Sequence, residues 1–177
     1  MPMLDEPNLE RVAYHEAGHT AAFLLFGYNP HYASILPDEE DGSAGQAFQL
    51  DCDDCTVEGM RNQVIAFYAG AESERLICSP HQHEDVDGRA ASDNEEAEWC
   101  LSRTGSTEQE LRDETVRFVT ANWALIELIA GELMEHKELG WDELGILLDV
   151  YRGKASQEDL AEYRCSPAHL LGGRPHP

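Results

Sequence analysis

Basic residues are scarce in this sequence. Lysine and arginine together number 12, against 35 aspartates and glutamates, so the 177 residues carry a formal net charge of −23. Such a chain repels phosphate groups, which argues against a nucleic acid partner and against docking on an anionic membrane. Its hydrophobic content of 42% is nevertheless enough to fill the core of one domain.

Long apolar runs and a basic N-terminus are also missing. No stretch approaches the roughly 18 apolar residues that mark a membrane-spanning helix, and the opening Met-Pro-Met-Leu-Asp-Glu lacks the positive start of a signal peptide. Cysteines number five, and an odd count fits reduced thiols better than a disulfide framework. We therefore expect a cytoplasmic protein with no membrane partner.

The pattern His-Glu-x-x-His at residues 15–19 is the most informative feature that is present. In a helix, His15 and His19 lie one turn apart on one face and can bind the same metal ion, while Glu16 can reach a water beside it, as in zinc peptidases. The surrounding residues 9–26 are mostly apolar and predict a buried helix, where such polar groups are costly unless satisfied. The alternative is two core histidines satisfied by ordinary hydrogen bonds.

The rest of the chain predicts further helices and a small sheet. Residues 32–36 and 46–50 predict two short strands, the second being either an edge strand for an extended peptide substrate or part of a hairpin that only covers the core. Residues 78–88 are polar and predict a loop. Helices are predicted at residues 57–76 and 107–137, and after residues 142 and 156. The helix at 107–137 is expected to begin with a capping box of Thr107 and Glu110 and to be stopped by Gly140.

Two further patterns have more than one interpretation. Ser92 and Glu95 have the spacing of a capping box at the start of another helix, so Asp93 can be explained as an acidic first-turn residue favoured by the helix dipole. A C-x-x-C pair could be half of a zinc site, although its acidic neighbours disfavour thiolates and equally suit the start of a helix. The residues of that candidate second site are Cys52, Cys55, His81 and His83.

Five motifs occur in one order along the chain. They are Val-Ala-Tyr-His-Glu-Ala-Gly-His at 12–19, Ser-Ile-Leu-Pro at 34–37, Gly-Gln-Ala-Phe-Gln-Leu at 45–50, Ala-Gly-Ala-Glu-Ser-Glu-Arg-Leu at 69–76 and Ala-Ser-Asp-Asn-Glu-Glu-Ala at 91–97. In order and in spacing they resemble the peptidase domain of the FtsH family of AAA metalloproteases. The resemblance covers about residues 8–148. It implies a mainly α, zincin-like helical peptidase domain with a small sheet of two or three strands beside the metal site.

The resemblance also implies a third zinc ligand. In that family an aspartate that opens a helix completes the site, and its counterpart here is Asp93; the alternative is Glu74, which matches an acidic position of another family motif. Zinc held by His15, His19 and Asp93 keeps a fourth position open, and Glu16 is then the expected general base. We expect one zinc ion per chain.

The expected function is that of a zinc-dependent endopeptidase that cleaves unfolded or flexible polypeptides. The sequence has no Gly-x-x-x-x-Gly-Lys-Ser/Thr pattern like that of an ATPase module, so cleavage should not need ATP. Residues 1–165 are expected to form the peptidase domain and residues 166–177 a loose tail. The alternative function is a catalytically silent, zinc-stabilised protein-interaction module. Two further possibilities are that the chain forms a homo-oligomer and that it acts with a separate ATPase partner.

Overall fold

A computed structural model describes residues 6–37, 44–47 and 55–166 of the chain. Within these residues the structure has eight α-helices, one short 3-10 helix and three strands. In chain order they are α1 (Glu6–Phe26), β1 (Tyr32–Pro37), β2 (Ala44–Ala47), α2 (Val57–Ile77), the 3-10 helix (Pro80–Gln82), α3 (His83–Arg89), α4 (Ala91–Leu101), α5 (Glu108–Ala121), α6 (Trp123–His136), β3 (Glu138–Gly140), α7 (Trp141–Tyr151) and α8 (Gln157–Cys165). The predicted mainly helical fold with a small sheet is confirmed.

Helix α1 lies at the centre of the fold and packs most extensively on α2 and α6. Its buried face is made largely of small residues, which lets the neighbouring helices approach closely. A Cβ atom on Gly18 would lie 2.4 Å from the carbonyl oxygen of Ala69 on α2, so only glycine fits at this crossing. The main hydrophobic core joins this face of α1 to α6 and α7 through Ile126, Ile129, Leu133, Leu144 and Leu147.

The sheet is antiparallel, with β1 between β2 and β3. Ala33 of β1 is paired with Ala47 on one side and Leu139 on the other. Within residues 6–37, 44–47 and 55–166, strand β2 is therefore an edge strand, and both β1 and β2 contact α1. The strand predicted at residues 46–50 is observed at Ala44–Ala47, and residues 48–50 lie outside the described part of the chain.

Three features of the helical region differ from the sequence expectations. The single helix predicted at 107–137 is divided at Asn122, whose side-chain amide donates to the carbonyl of Phe118 and so ends α5. Helix α6 then ends at His136, followed by Lys137 in a left-handed conformation with φ 70°, and Gly140 precedes α7 instead of stopping α6. The segment predicted as a loop at 78–88 contains α3 and the short 3-10 helix.

No helix in the described part of the chain is long and apolar enough to span a membrane. The predicted C-terminal tail, apart from Ser166, lies outside the residues that the structure describes.

Candidate metal centre

Three residues that the sequence analysis singled out meet at one point. One potential ligand atom from each of His15, His19 and Asp93 lies within 4.8 Å of the other two. Oδ2 of Asp93 is 3.1 Å from Nε2 of His15 and 3.4 Å from Nε2 of His19. Asp93 comes from α4, so a residue 78 positions after His15 joins two side chains that share one face of α1.

The other ring nitrogen of each histidine, Nδ1, also has a hydrogen-bond partner. Nδ1 of His15 lies 3.2 Å from Oε2 of Glu74, and Nδ1 of His19 lies 2.8 Å from the carbonyl oxygen of Ala66. A carbonyl only accepts, so Nδ1 of His19 donates and its Nε2 is the nitrogen available to a metal. A hydrogen bond of this kind on the far nitrogen is the usual support of a metal-binding histidine. The donor set therefore fits a divalent cation.

The electrostatic interactions within the cluster of His15, His19 and Asp93 also favour positive charge at this position. Burial alone would lower the pKa of His15, but its hydrogen bonds to Asp93 and Glu74 outweigh that effect and raise the pKa to about 10. Burial opposes ionisation of Asp93, yet its electrostatic interaction with His19 and its hydrogen bonds to both histidines lower its pKa well below the usual range. The protonated His15 thus balances the negative charge of the carboxylates, as a bound metal cation would do in its place.

Glu16 is buried beside the two histidines. Burial raises the pKa of its carboxyl group, and the charges that act on it are those of His15, His19 and Asp93. Glu16 therefore interacts electrostatically with the cluster, but the three potential ligand atoms come from His15, His19 and Asp93. A carboxylate with a raised pKa accepts a proton more readily, which suits a general base.

Glu74, the alternative third ligand, occupies a different position. Its carboxylate has no exposed surface and approaches His15 at Nδ1, whereas Asp93 approaches the same ring at Nε2. Its other oxygen accepts from Nε of Arg11 at 2.9 Å and from Arg89. The hydrogen bonds and charges of His15 and Arg89 outweigh the effect of burial and lower the pKa of Glu74, so Glu74 is an anion that contacts His15 on the side away from Asp93.

Asp93 lies in helix α4, which begins earlier than predicted. The helix starts at Ala91 rather than after Ser92, and the amide of Ala90 donates back to Val86 of α3, so the two helices follow almost directly on each other. The predicted Ser92–Glu95 capping box is therefore wrong. Asp93 lies in the first turn with 23% of its side chain exposed, and its carboxylate contacts the histidines.

The candidate second metal site receives no support from the residues described. Cys52 lies outside them, Cys55 is exposed, and the exposed His81 contacts Ser79. In the ranges 6–37, 44–47 and 55–166, the convergent group of potential ligands is the one formed by His15, His19 and Asp93.

Sequence reasoning missed Arg11 and Arg89 as parts of the site. A signal for Arg11 existed, because it lies one turn before His15 in a mostly apolar helix, in a row of residues spaced by four. Arg89 gave no comparable signal, since it lies in a polar segment and its partner Glu74 is 15 residues away.

Comparison with known proteins adds no family assignment. No protein-family model matches the chain, and no curated protein matches it significantly. The function is therefore inferred from the geometry and chemistry of the cluster.

Proposed function

We propose that this chain is a zinc-dependent endopeptidase that acts on unfolded or flexible polypeptides. One observation carries the proposal: potential ligand atoms of two imidazoles and one carboxylate lie within 4.8 Å of one another, beside the buried Glu16. Structural zinc sites are usually closed by four protein ligands, whereas catalytic sites have three and leave one position open. The set of His15, His19 and Asp93 has the composition of the second kind.

The roles of the residues follow from their positions. His15, His19 and Asp93 would hold the ion, which when bound supplies Lewis acidity that polarises a carbonyl and lowers the pKa of water. Glu16 accepts the proton of the attacking water as the new C–O bond forms at the scissile carbonyl. It then donates that proton to the amine nitrogen as the C–N bond breaks, so the carboxylate is regenerated.

Strand β2 supports an extended polypeptide as the substrate class. Among the residues that the structure describes it is an edge strand, to which a substrate could bind by strand addition, and it contacts α1, the helix that carries both histidines. Such binding requires several consecutive unpaired backbone groups in the substrate. Unfolded chains and flexible loops offer these groups, whereas native domains rarely do.

The second candidate function is a zinc-stabilised interaction module without activity. Burial favours it, because His15, His19 and Glu16 each expose less than a tenth of their surface. Glu16 argues against it, because a purely structural site needs no proton acceptor among its charges. We therefore rank the peptidase first and distinguish the two functions by experiment.

The experiment compares the zinc-loaded chain with the Glu16→Gln variant on a loosely folded, casein-like substrate. We expect both proteins to bind one zinc ion per chain by elemental analysis, and the variant to cleave at least about 100-fold more slowly, since general acid–base catalysis contributes that much or more. Equal activity of the two proteins would refute the mechanism. Zinc binding without cleavage by the parent would establish the interaction module instead.

A further inference from the structure

The carboxylate of Glu74 links several parts of the metal centre. It is completely buried, with Oε2 on Nδ1 of His15 and Oε1 shared by Nε of Arg11 and the guanidinium of Arg89. A buried carboxylate is stable only when its charge is balanced and its oxygens accept hydrogen bonds. Arg11 and Arg89 meet both requirements, and they fix the plane of the carboxylate that His15 contacts.

The partners of Glu74 come from separate elements. Arg11 and His15 lie one turn apart on α1, Glu74 belongs to α2, and Arg89 is the last residue of α3. Arg89 also lies four positions before Asp93 in the sequence. One carboxylate therefore links the helix that carries both histidines to the segment that delivers the third candidate ligand.

Helix α3 is otherwise joined to its neighbours by ion pairs of two exposed carboxylates, Asp87 with Arg75 and Asp85 with Arg11, and exposed pairs contribute little. It is seven residues long, and its one buried side chain is Val86, which packs in a small cluster with Ala71 and Ala90. So small an apolar contact contributes little, and the ion pair between Arg89 and Glu74 therefore matters for the position of α3. Because Ala90 alone separates α3 from α4, a shift of α3 would also move Asp93.

We propose that Arg11 and Arg89 are positioning residues of the metal centre. By binding Glu74 from two sides they hold His15 with Nε2 towards the metal position, and Arg89 also keeps the α3–α4 junction where Asp93 can join it. The inference rests on the proposed metal site. It does not require that the site be catalytic.

The first test measures zinc affinity by competition with a chromophoric chelator in Arg89→Ala and Arg11→Ala. Loss of an outer support typically weakens metal binding about 10- to 100-fold, and we expect a loss of that size for both variants. The matched control is Arg75→Ala. Arg75 also joins α2 to α3, through its ion pair with Asp87; it pairs with Glu72 within α2 and lies next to Glu74 in the chain.

The control should bind zinc within about 2-fold of the parent, because the expected loss of about 10-fold or more arises only through Glu74. Cobalt substitution provides a second readout: Arg89→Ala should change the visible absorption spectrum of the cobalt protein, and Arg75→Ala should leave it unchanged. Arg89 is partly exposed, so its truncation should not prevent folding even if that of Arg11 does.

A double-mutant cycle tests whether Arg89 acts through Glu74. In a Glu74→Gln background the change Arg89→Ala should have no further effect on zinc affinity. In the parent background, Arg89→Lys should keep part of the zinc affinity that Arg89→Ala loses.

Unchanged affinity in Arg89→Ala, or an equal loss in Arg75→Ala, would overturn the inference. A parent that binds no zinc would overturn it together with the proposed function. A parent that binds zinc without cleaving peptides would count against the proposed function alone.

Discussion

A Cβ atom on Gly70 would lie 2.3 Å from Nε2 of His19. The imidazole of His19 therefore lies directly against the backbone of α2, where its Nδ1 also donates to the carbonyl of Ala66, one turn before Gly70. Helix α2 thus orients the candidate ligand His19 in two ways, through the hydrogen bond to Ala66 and through the space at Gly70. Glycine is required at residue 70 because the imidazole of His19 occupies the place of a side chain.

We predict that Gly70→Ala weakens zinc binding by about 10-fold or more, an effect like the loss of an outer support, because the added methyl group displaces the ring that should hold the metal. The measurement is zinc affinity, with circular dichroism as the check that the helices persist. The control is Gly131→Ala on α6, where an added Cβ meets nothing within 4 Å. That change should raise stability by about 0.5–1 kcal/mol, the helical advantage of alanine over glycine, and leave zinc affinity unchanged.

The assignment of the third ligand predicts unequal effects at two acidic residues. Asp93→Ala removes a metal-facing oxygen and should weaken zinc binding more than about 100-fold, whereas Glu74→Gln removes only a support of His15 and should cost about 10- to 100-fold. Calorimetric titration with zinc would measure both. The opposite ranking would assign the ligand role to Glu74.

A pH dependence follows from His15 in the metal-free protein. Its pKa is about 10 in the folded protein and about 6.5 in the unfolded chain, so the stability it contributes is complete below about pH 6.5 and is lost as the pH rises towards 10. Thermal unfolding after chelator treatment should show this loss. His15→Gln should lack this part of the pH dependence, and so should the zinc-loaded protein, in which the metal replaces the proton.

Zinc binding near neutral pH should release about one proton from His15, because imidazole binds a metal only when that nitrogen is deprotonated. Calorimetry in buffers of different ionisation enthalpy would measure the proton count. A binding enthalpy that does not depend on the buffer would contradict the protonated state of His15.

The sequence predicted the part of the site that local spacing determines. His15, Glu16 and His19 lie within two turns of one apolar helix, so their common environment follows from helix geometry. The Thr107–Glu110 capping box was also predicted, and the structure confirms it at the start of α5. Both features depend only on residues that are close in the chain.

The arrangement could not be predicted from the sequence where it depends on contacts between distant residues. Helix α3 was predicted as a loop because Val86 is its one buried side chain among polar neighbours, and its stability comes partly from the contact of Arg89 with Glu74. The start of α4 was misplaced for the same reason, since the preceding helix supplies the acceptor for the amide of Ala90. The position of Asp93 was available only through the family resemblance.

The last prediction concerns the substrate and energy requirement of the purified 177-residue chain. Its sequence contains no Gly-x-x-x-x-Gly-Lys-Ser/Thr pattern to bind nucleotide phosphates, so ATP should not change the rate of cleavage. If it is the proposed peptidase and binds only extended backbone, it should digest a casein-like protein and leave a stable globular protein intact. A net charge of −23 should also favour basic over acidic unfolded substrates, and added salt should reduce that preference by screening. The assay is gel-based digestion of both substrates with and without ATP, repeated with Glu16→Gln. Stimulation by ATP, or efficient digestion of the folded protein, would contradict a peptidase that binds only extended backbone.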